Sequence, residues 1–529
     1  MTFDLRRLPS QATLAAAAIA FACSSMAMTH GAAADDLVVK TDKGAVHGAR
    51  AGDVESFLGI PYAAPPVGTL RWRAPQPMQP WADVREATAY GAYCAAAQST
   101  NGPRSEAEDC LFVNVQRPAH ATGPLPVYVF IHGGGLLNGS SNQADMAAMV
   151  AETGIIGVTM NYRLGVLGFL AHPSLTAEGG ESGNYGLLDQ QAALRWLQAN
   201  IAAFGGDPAH VTVGGESAGG WSVCAHLAAP GSAGLYSQAI MESGSCASQS
   251  QSDAEATDQA IVKDVGCSES SAVAECLRGV PVGKLIDVQY PGAAHVPLPV
   301  HGGAFLPLAP REAIASGKFP HVPVLIGANR DEGRTFAQGN IGWTQADYTA
   351  WVRQRFAQTA NKVLGQYPWP QDANKFTGAY LSGAVITDAG LAGGIGGCSN
   401  LKLTRDFARH TTTYAFEFAH RKGPGLTPAL GDYEWGAGHA AELAYLFPSF
   451  NNGVPIAPTF DKSEQALAKA MKDYWGAFVT TGTPSAPSSA SWPPFNTAAK
   501  VLSLRPETTL VADGDIENEH NCAFWASLK

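Results

Sequence analysis

At 529 residues, 46% hydrophobic and 15% charged, the chain carries material for a large core and is unlike a disordered segment. Its formal charge of −11, without a block of like charges, argues against nucleic-acid binding. Length alone would allow several domains, but large α/β enzymes often form one unit.

Residues 1–34 differ in character from the rest of the chain. Arg6 and Arg7 precede an Ala-rich apolar run from about Leu14 to Ala22, and small residues end in Ala32-Ala33-Ala34. This is the layout of a secretory signal peptide cleaved before Asp35, with an apolar run too short for a permanent anchor. A lipoprotein anchor at Cys23 fits poorly after Ala20-Phe21-Ala22. The remaining chain has no apolar stretch of about 18 residues, so a secreted or periplasmic protein without stable membrane insertion is expected. Without Cys23, eight of the nine cysteines remain, an even number in an oxidising compartment. Cys94 and Cys110 could close a short loop, as could Cys267 and Cys276. Counting leaves Cys224, Cys246, Cys398 and Cys522 undecided. Neither C-x-x-C nor H-E-x-x-H occurs, so no metal site is expected.

From Leu37 the chain predicts an edge meander: Leu37–Lys40, Gly44–Gly48 and Phe57–Ile60, with a turn at Asp42-Lys43. The proline-rich stretch from Pro61 to Pro77 must be irregular. Leu125–Ile131 and Ile155–Tyr162 are continuous apolar runs, as fully buried strands should be. Leu187–Phe204 has helical spacing and leads through Gly205-Gly206-Asp207-Pro208 into a strand at Val211. Ala239–Ser243, Val322–Ile326 and Thr413–Phe418 read as further strands separated by helices, which argues for a mostly parallel α/β sheet. The region from about Glu332 to Arg409 lacks clear strands and reads as a helical insertion over the active-site end. With no internal repeat or long linker, residues 35–529 are expected to form one catalytic domain.

One stretch organises the rest. Val211-Thr212-Val213 runs into Gly214-Gly215-Glu216-Ser217-Ala218-Gly219-Gly220, and a helix-compatible segment comes at once after it. A strand, a sharp G-x-S-x-G turn and a helix make the context of a nucleophile elbow, where the turn lifts the serine hydroxyl clear. Serine is a poor nucleophile at neutral pH and needs a base, a carboxylate to orient that base, and donors for the oxyanion. Among 14 histidines, His439 stands out in the glycine-rich loop Trp435-Gly436-Ala437-Gly438-His439. His226, on the helix behind the serine, reads as structural, and His420 as a surface residue. Asn329-Arg330-Asp331-Glu332-Gly333 comes directly after a buried strand, where catalytic groups gather in open α/β sheets. Asp331 reads as a solvated carboxylate. The order Ser217, Glu332, His439 is that of an α/β-hydrolase. Ile131-His132-Gly133-Gly134-Gly135 lets backbone amides converge without a Cβ in the way, and Ala218 supplies the other expected donor.

These pieces, with Phe57–Ala63, Glu108–Val115, Asn161–Gly165 and Gly183–Gln190, resemble the type-B carboxylesterase family, which includes para-nitrobenzyl esterases, fungal lipases and cholinesterases. The match runs from about residue 37 to 525. The resemblance implies an α/β-hydrolase fold and a carboxylesterase acting on small-molecule esters through an acyl-enzyme; the alternatives are an esterase for a bulky natural-product ester or polyester, a lipase, an amidase or, further off, a non-catalytic binding protein. No cofactor is expected, and the chain is expected to be a monomer. The resemblance places the triad on Ser217, Glu332 and His439, settling Glu332 over Asp331, and the oxyanion donors on Gly134, Gly135 and Ala218. It implies disulfides Cys94–Cys110, Cys267–Cys276 and Cys398–Cys522, and leaves Cys224 and Cys246 as buried free thiols. Glu216 and Glu442 fall where cholinesterases have a network beside the histidine, which Ser243 could join. The Cys94–Cys110 loop lacks the tryptophan that stacks on quaternary ammonium in cholinesterases, so choline-ester specificity is not expected. A long lipase lid is absent there too. Leu136 and Leu137 are expected to form an apolar, non-aromatic wall where the family has an aromatic. Specificity is expected from loops around 94–110, 286–306 and 334–400.

Overall fold

The longest uninterrupted apolar runs form the middle of one eleven-stranded sheet. In the computed structural model the described residues are 37–121, 123–289, 296–426, 430–451, 453, 455–487 and 489–528, so residues 1–34, the expected signal peptide, lie outside them. The strands in chain order are β1 (Ala49–Ala51), β2 (Val54–Pro61), β3 (Phe112–Pro118), β4 (Leu125–Ile131), β5 (Ile156–Met160), β6 (Gly206–Glu216), β7 (Gln238–Glu242), β8 (Val324–Asn329), β9 (Thr413–Phe418), β10 (Lys500–Leu504) and β11 (Thr509–Ala512). Across the sheet the order is β11-β10-β9-β8-β7-β6-β4-β5-β3-β2-β1. From β5 through β4 and β6 to β10 all neighbours are parallel, while β1, β2, β3 and β11 pair antiparallel at the edges.

Burial explains the sequence pattern. Every residue of β5, β7, β8 and β9 is buried, because helices cover both faces of a parallel sheet and leave no polar side to alternate. One face packs α1 (Tyr185–Asn200) and α2 (Ala218–Ala228); the other packs the long helix α6 (Lys462–Thr481), whose Trp475 and Phe478 are fully buried. Between β8 and β9 lie α3 (Gln345–Phe356), α4 (Thr377–Ala389) and α5 (Gly397–Ala408), in keeping with the expected helical insertion.

Three expectations need correction. Val38–Lys40 and Ala45–His47 pair with each other and with Arg85–Glu86 in a separate small sheet, so they are no meander with β2. The strand before the elbow starts at Gly206 and includes Pro208, well ahead of Val211. Cys224 and Cys246 are joined as a disulfide, with Cα atoms 5.4 Å apart, rather than being free thiols. Packing of α2 against β7 brings them together, which no spacing rule announces. The other pairs are Cys94–Cys110, Cys267–Cys276 and Cys398–Cys522.

Candidate active site

Strand β6 ends at Glu216 and α2 begins at Ala218, leaving Ser217 alone in the turn. Its φ is +57°, a left-handed conformation that a non-glycine residue holds only when its surroundings impose it. The imposing contacts are visible. The Ser217 amide donates to the Glu242 carbonyl at 2.9 Å. A Cβ on Gly219 would collide with the Ile131 carbonyl, so that glycine lets α2 approach β4.

Three side chains from separate loops meet here. Ser217 Oγ lies 2.8 Å from His439 Nε2, and His439 Nδ1 lies 2.6 Å from Glu332 Oε2. The second Glu332 oxygen accepts the Asn329 amide at 2.7 Å, which fixes the carboxylate's orientation. Glu332 is fully buried and Ser217 and His439 nearly so. The arrangement can move a proton from the serine to the imidazole while the carboxylate holds the ring.

Beside it, Gly134 and Gly135 have φ of +102° and +65° after β4. Among the described residues their amides donate to no backbone carbonyl, and Ala218, first in its helix, has no intrahelical acceptor. Gly134 and Gly135 line the cavity together with Ser217. His132 stacks on Tyr162 at 4.4 Å and contacts the Gly133 carbonyl through Nδ1 at 2.9 Å. Burial lowers its pKa to about 4, so its ring is neutral at ordinary pH.

A cluster of buried carboxyls surrounds the imidazole. Glu216 Oε1 is 3.2 Å from His439 Nε2. Glu442 accepts a short hydrogen bond from the Asn329 side chain. Burial raises both carboxyls, Glu216 to about 8 and Glu442 to about 7, with neighbouring acids adding to the rise and His439 opposing it. Sequence reasoning missed a further member. Glu242 is fully buried, its Oε1 3.3 Å from both Tyr128 OH and Trp475 Nε1, and burial raises its pKa. A charged residue directly after the buried apolar run Ala239–Met241 was the available signal. Ser243 is buried at φ +46°, and its hydroxyl has no hydrogen-bond partner among the described residues.

Other candidates fall elsewhere. His226 bonds Ser232 and Gln190 inside the core, a structural role as expected. Asp331 is not a solvated carboxylate: Arg421 grips it through two bonds of 2.8 Å, and it accepts the Ala437 amide. His420 is not simply on the surface, because its Nε2 meets Glu464 Oε1 at 3.0 Å in a half-buried site. Leu136 is fully buried in the core and forms no cavity wall.

The cavity over Ser217 has a volume of about 890 Å³. Each of the three loops expected to set specificity reaches it, through Asn101, Leu298 and Leu391 among others. Trp221 and the segment Ala440–Phe450 also contribute, which the loop pattern did not announce.

The family model described as the carboxylesterase family matches residues 35–525. The chain belongs to the carboxylesterase family. Among curated relatives, it is 33% identical to fumonisin B1 esterase of Sphingopyxis macrogoltabida, covering 94% of this chain and 92% of that protein. It is also 33% identical to cocaine esterase of Oryctolagus cuniculus, covering 91% and 92%. Among solved structures it resembles a thermophilic PNB esterase with a TM-score of 0.79 at 31% identity, covering 92% of this chain and 99% of that one. The carboxylesterase is therefore a carboxylic ester hydrolase with the α/β-hydrolase fold. No helix among its described residues is long and apolar enough to cross a membrane.

Proposed function

We propose that Ser217 is the nucleophile of this esterase, His439 its general base and Glu332 the carboxylate that orients the imidazole. The supporting observation is the unbroken contact series of 2.8 and 2.6 Å from Oγ through the ring to Glu332. His439 takes the serine proton as Oγ attacks the ester carbonyl. Amides of Gly134, Gly135 and Ala218 receive the oxyanion, a contribution of about 3–4 kcal/mol per donor. The imidazolium protonates the departing alcohol, and a water deprotonated by His439 then releases the acid. Glu332 stabilises the imidazolium without taking its proton. Glu216 and Glu442 tune the pKa of His439.

A cavity of about 890 Å³ lies toward the upper end of the drug-sized range, which favours a bulky ester over a simple acetate as the physiological substrate. Residues 35–529 are the catalytic unit and residues 1–34 a secretory signal. Four disulfides support a secreted or periplasmic location. The acidic chain acts as a monomer on small-molecule esters, not on nucleic acid, which light scattering of the purified protein tests. Burst release of nitrophenol from a short-chain ester, lost in Ser217→Ala, tests the nucleophile. Absence of turnover by the parent protein would overturn the reading.

A further inference from the structure

Trp221 stands one helical turn beyond the nucleophile, its amide donating to the Ser217 carbonyl at 3.0 Å. The ring is 5% exposed and lines the cavity beside Leu391, Ala392, Gly393 and Ile395. Gly393 sits at φ +59°, and a Cβ there would collide with the six-membered edge of the indole. The glycine-rich turn is therefore shaped around this ring.

The clamp closes through the disulfide. Cys224, three residues after Trp221 on α2, is bonded to Cys246. Its neighbour Ser245 donates from Oγ to the Gly393 carbonyl at 2.5 Å. Helix, disulfide, Ser245 and Gly393 thus form one connected frame around the tryptophan. The indole N–H has no acceptor among the described residues, so packing rather than a hydrogen bond sets the ring's place.

Which half of an ester meets this wall is decided by the chemistry. The leaving alcohol must receive its proton from His439, so it lies on the imidazole side. That side carries Phe336, whose ring is 4.7 Å from the imidazole and lines the cavity. Trp221 makes no ring contact with His439 and sits on the helix whose first amide, that of Ala218, faces the oxyanion. The acyl substituent leaves the carbonyl carbon on the side away from the alcohol.

We propose that Trp221, clamped between α2 and the turn at Gly393, is the specificity-determining wall of the acyl side, so that this esterase takes short acyl groups on large alcohols. This rests on the assignment of Ser217 and His439 above.

The test uses two ester series with the full chain: p-nitrophenyl esters from acetate to decanoate, and acetates of alcohols of increasing size. Trp221→Ala is expected to raise kcat/KM for octanoate relative to acetate by about tenfold or more, with the alcohol series unchanged. Trp221→Phe should keep most of the short-acyl preference, and Phe336→Ala should move the alcohol series alone. An unchanged acyl ratio in an active Trp221→Ala protein would overturn the proposal, as would a response confined to the alcohol series. Should Trp221→Ala fail to fold, Trp221→Leu is read on the same series with the same two outcomes. Lack of activity on acetate in the parent protein would instead sink the nucleophile assignment.

Discussion

Glu216 Oε1 and Ser217 Oγ both face His439 Nε2, at 3.2 and 2.8 Å. The residue before the proposed nucleophile therefore shares its proposed base. Burial alone would lower the histidine's pKa, but Glu216 and Glu332 outweigh it and raise it to about 9. A general base must be neutral to accept a proton, so any charge that raises its pKa moves the acid limb of kcat/KM to higher pH. Glu216→Gln removes one such charge. The acid limb on a neutral ester should then shift to lower pH by about one unit, or about 1.4 kcal/mol. A limb that stays in place would mean that Glu216 is protonated throughout the active range.

Gly134 is a second place where the backbone sets the chemistry. A Cβ there would collide with the Asn138 carbonyl, and φ of +102° is already unfavourable for any other residue. If Gly134 is an oxyanion donor as proposed, Gly134→Ala should rotate its amide away from the oxyanion. The expected result is a fall in kcat of about 10²–10³ with KM little changed. Steady-state kinetics on p-nitrophenyl acetate checks this; an equal rise in KM would point instead to a blocked cavity.

The Cys224–Cys246 bond closes a 22-residue separation between α2 and the segment after β7. In the chain-entropy picture, losing a loop closure of this size costs about 3 kcal/mol. A Cys224→Ala, Cys246→Ala double variant should unfold at clearly lower urea, with its acyl selectivity loosened. More directly, a chain starting at Asp35 should take up no thiol label when denatured without reductant. Two labels per chain would show both cysteines free.

Much of this architecture was legible because the sheet is parallel. Strands buried on both faces appear as unbroken runs, and β4 and β9 begin and end where the pattern placed them. Residues 217, 332 and 439 could be picked out because each comes after a buried strand or sits in a glycine-rich turn. What escaped depends on elements distant in sequence. The pairing of Cys224 with Cys246 needs α2 seated on β7, and Asp331 looked solvated because Arg421 lies 90 positions away. The hairpin β10–β11 carries shorter and more polar runs, since β11 is an edge strand with exposed residues. Trp221 stood in the sequence only as part of the helix-compatible segment after the elbow; its place between the turn at Gly393 and the cavity needs the folded chain.

His520 supplies a test of stability rather than catalysis. It is 3% exposed, its Nδ1 2.8 Å from Asp388 Oδ1 and its Nε2 3.1 Å from Glu417 Oε1. Burial would lower its pKa, but the two carboxylates outweigh it and raise it to about 10. Asp388 also accepts from Tyr367 OH and from Asn521. The next residue back, Thr387, takes the Gly333 amide on its hydroxyl at 2.8 Å, directly beside Glu332. A histidine whose pKa is raised on folding stabilises the fold in full below its unfolded value of about 6.5, and the stabilisation is lost as pH rises through the folded value. Urea midpoints should therefore fall between about pH 7 and 10, the range bounded by those two values. His520→Gln should be less stable than the parent at neutral pH and show a flatter decline over that range. A variant with the parent's slope would mean that His520 is not the titrating group.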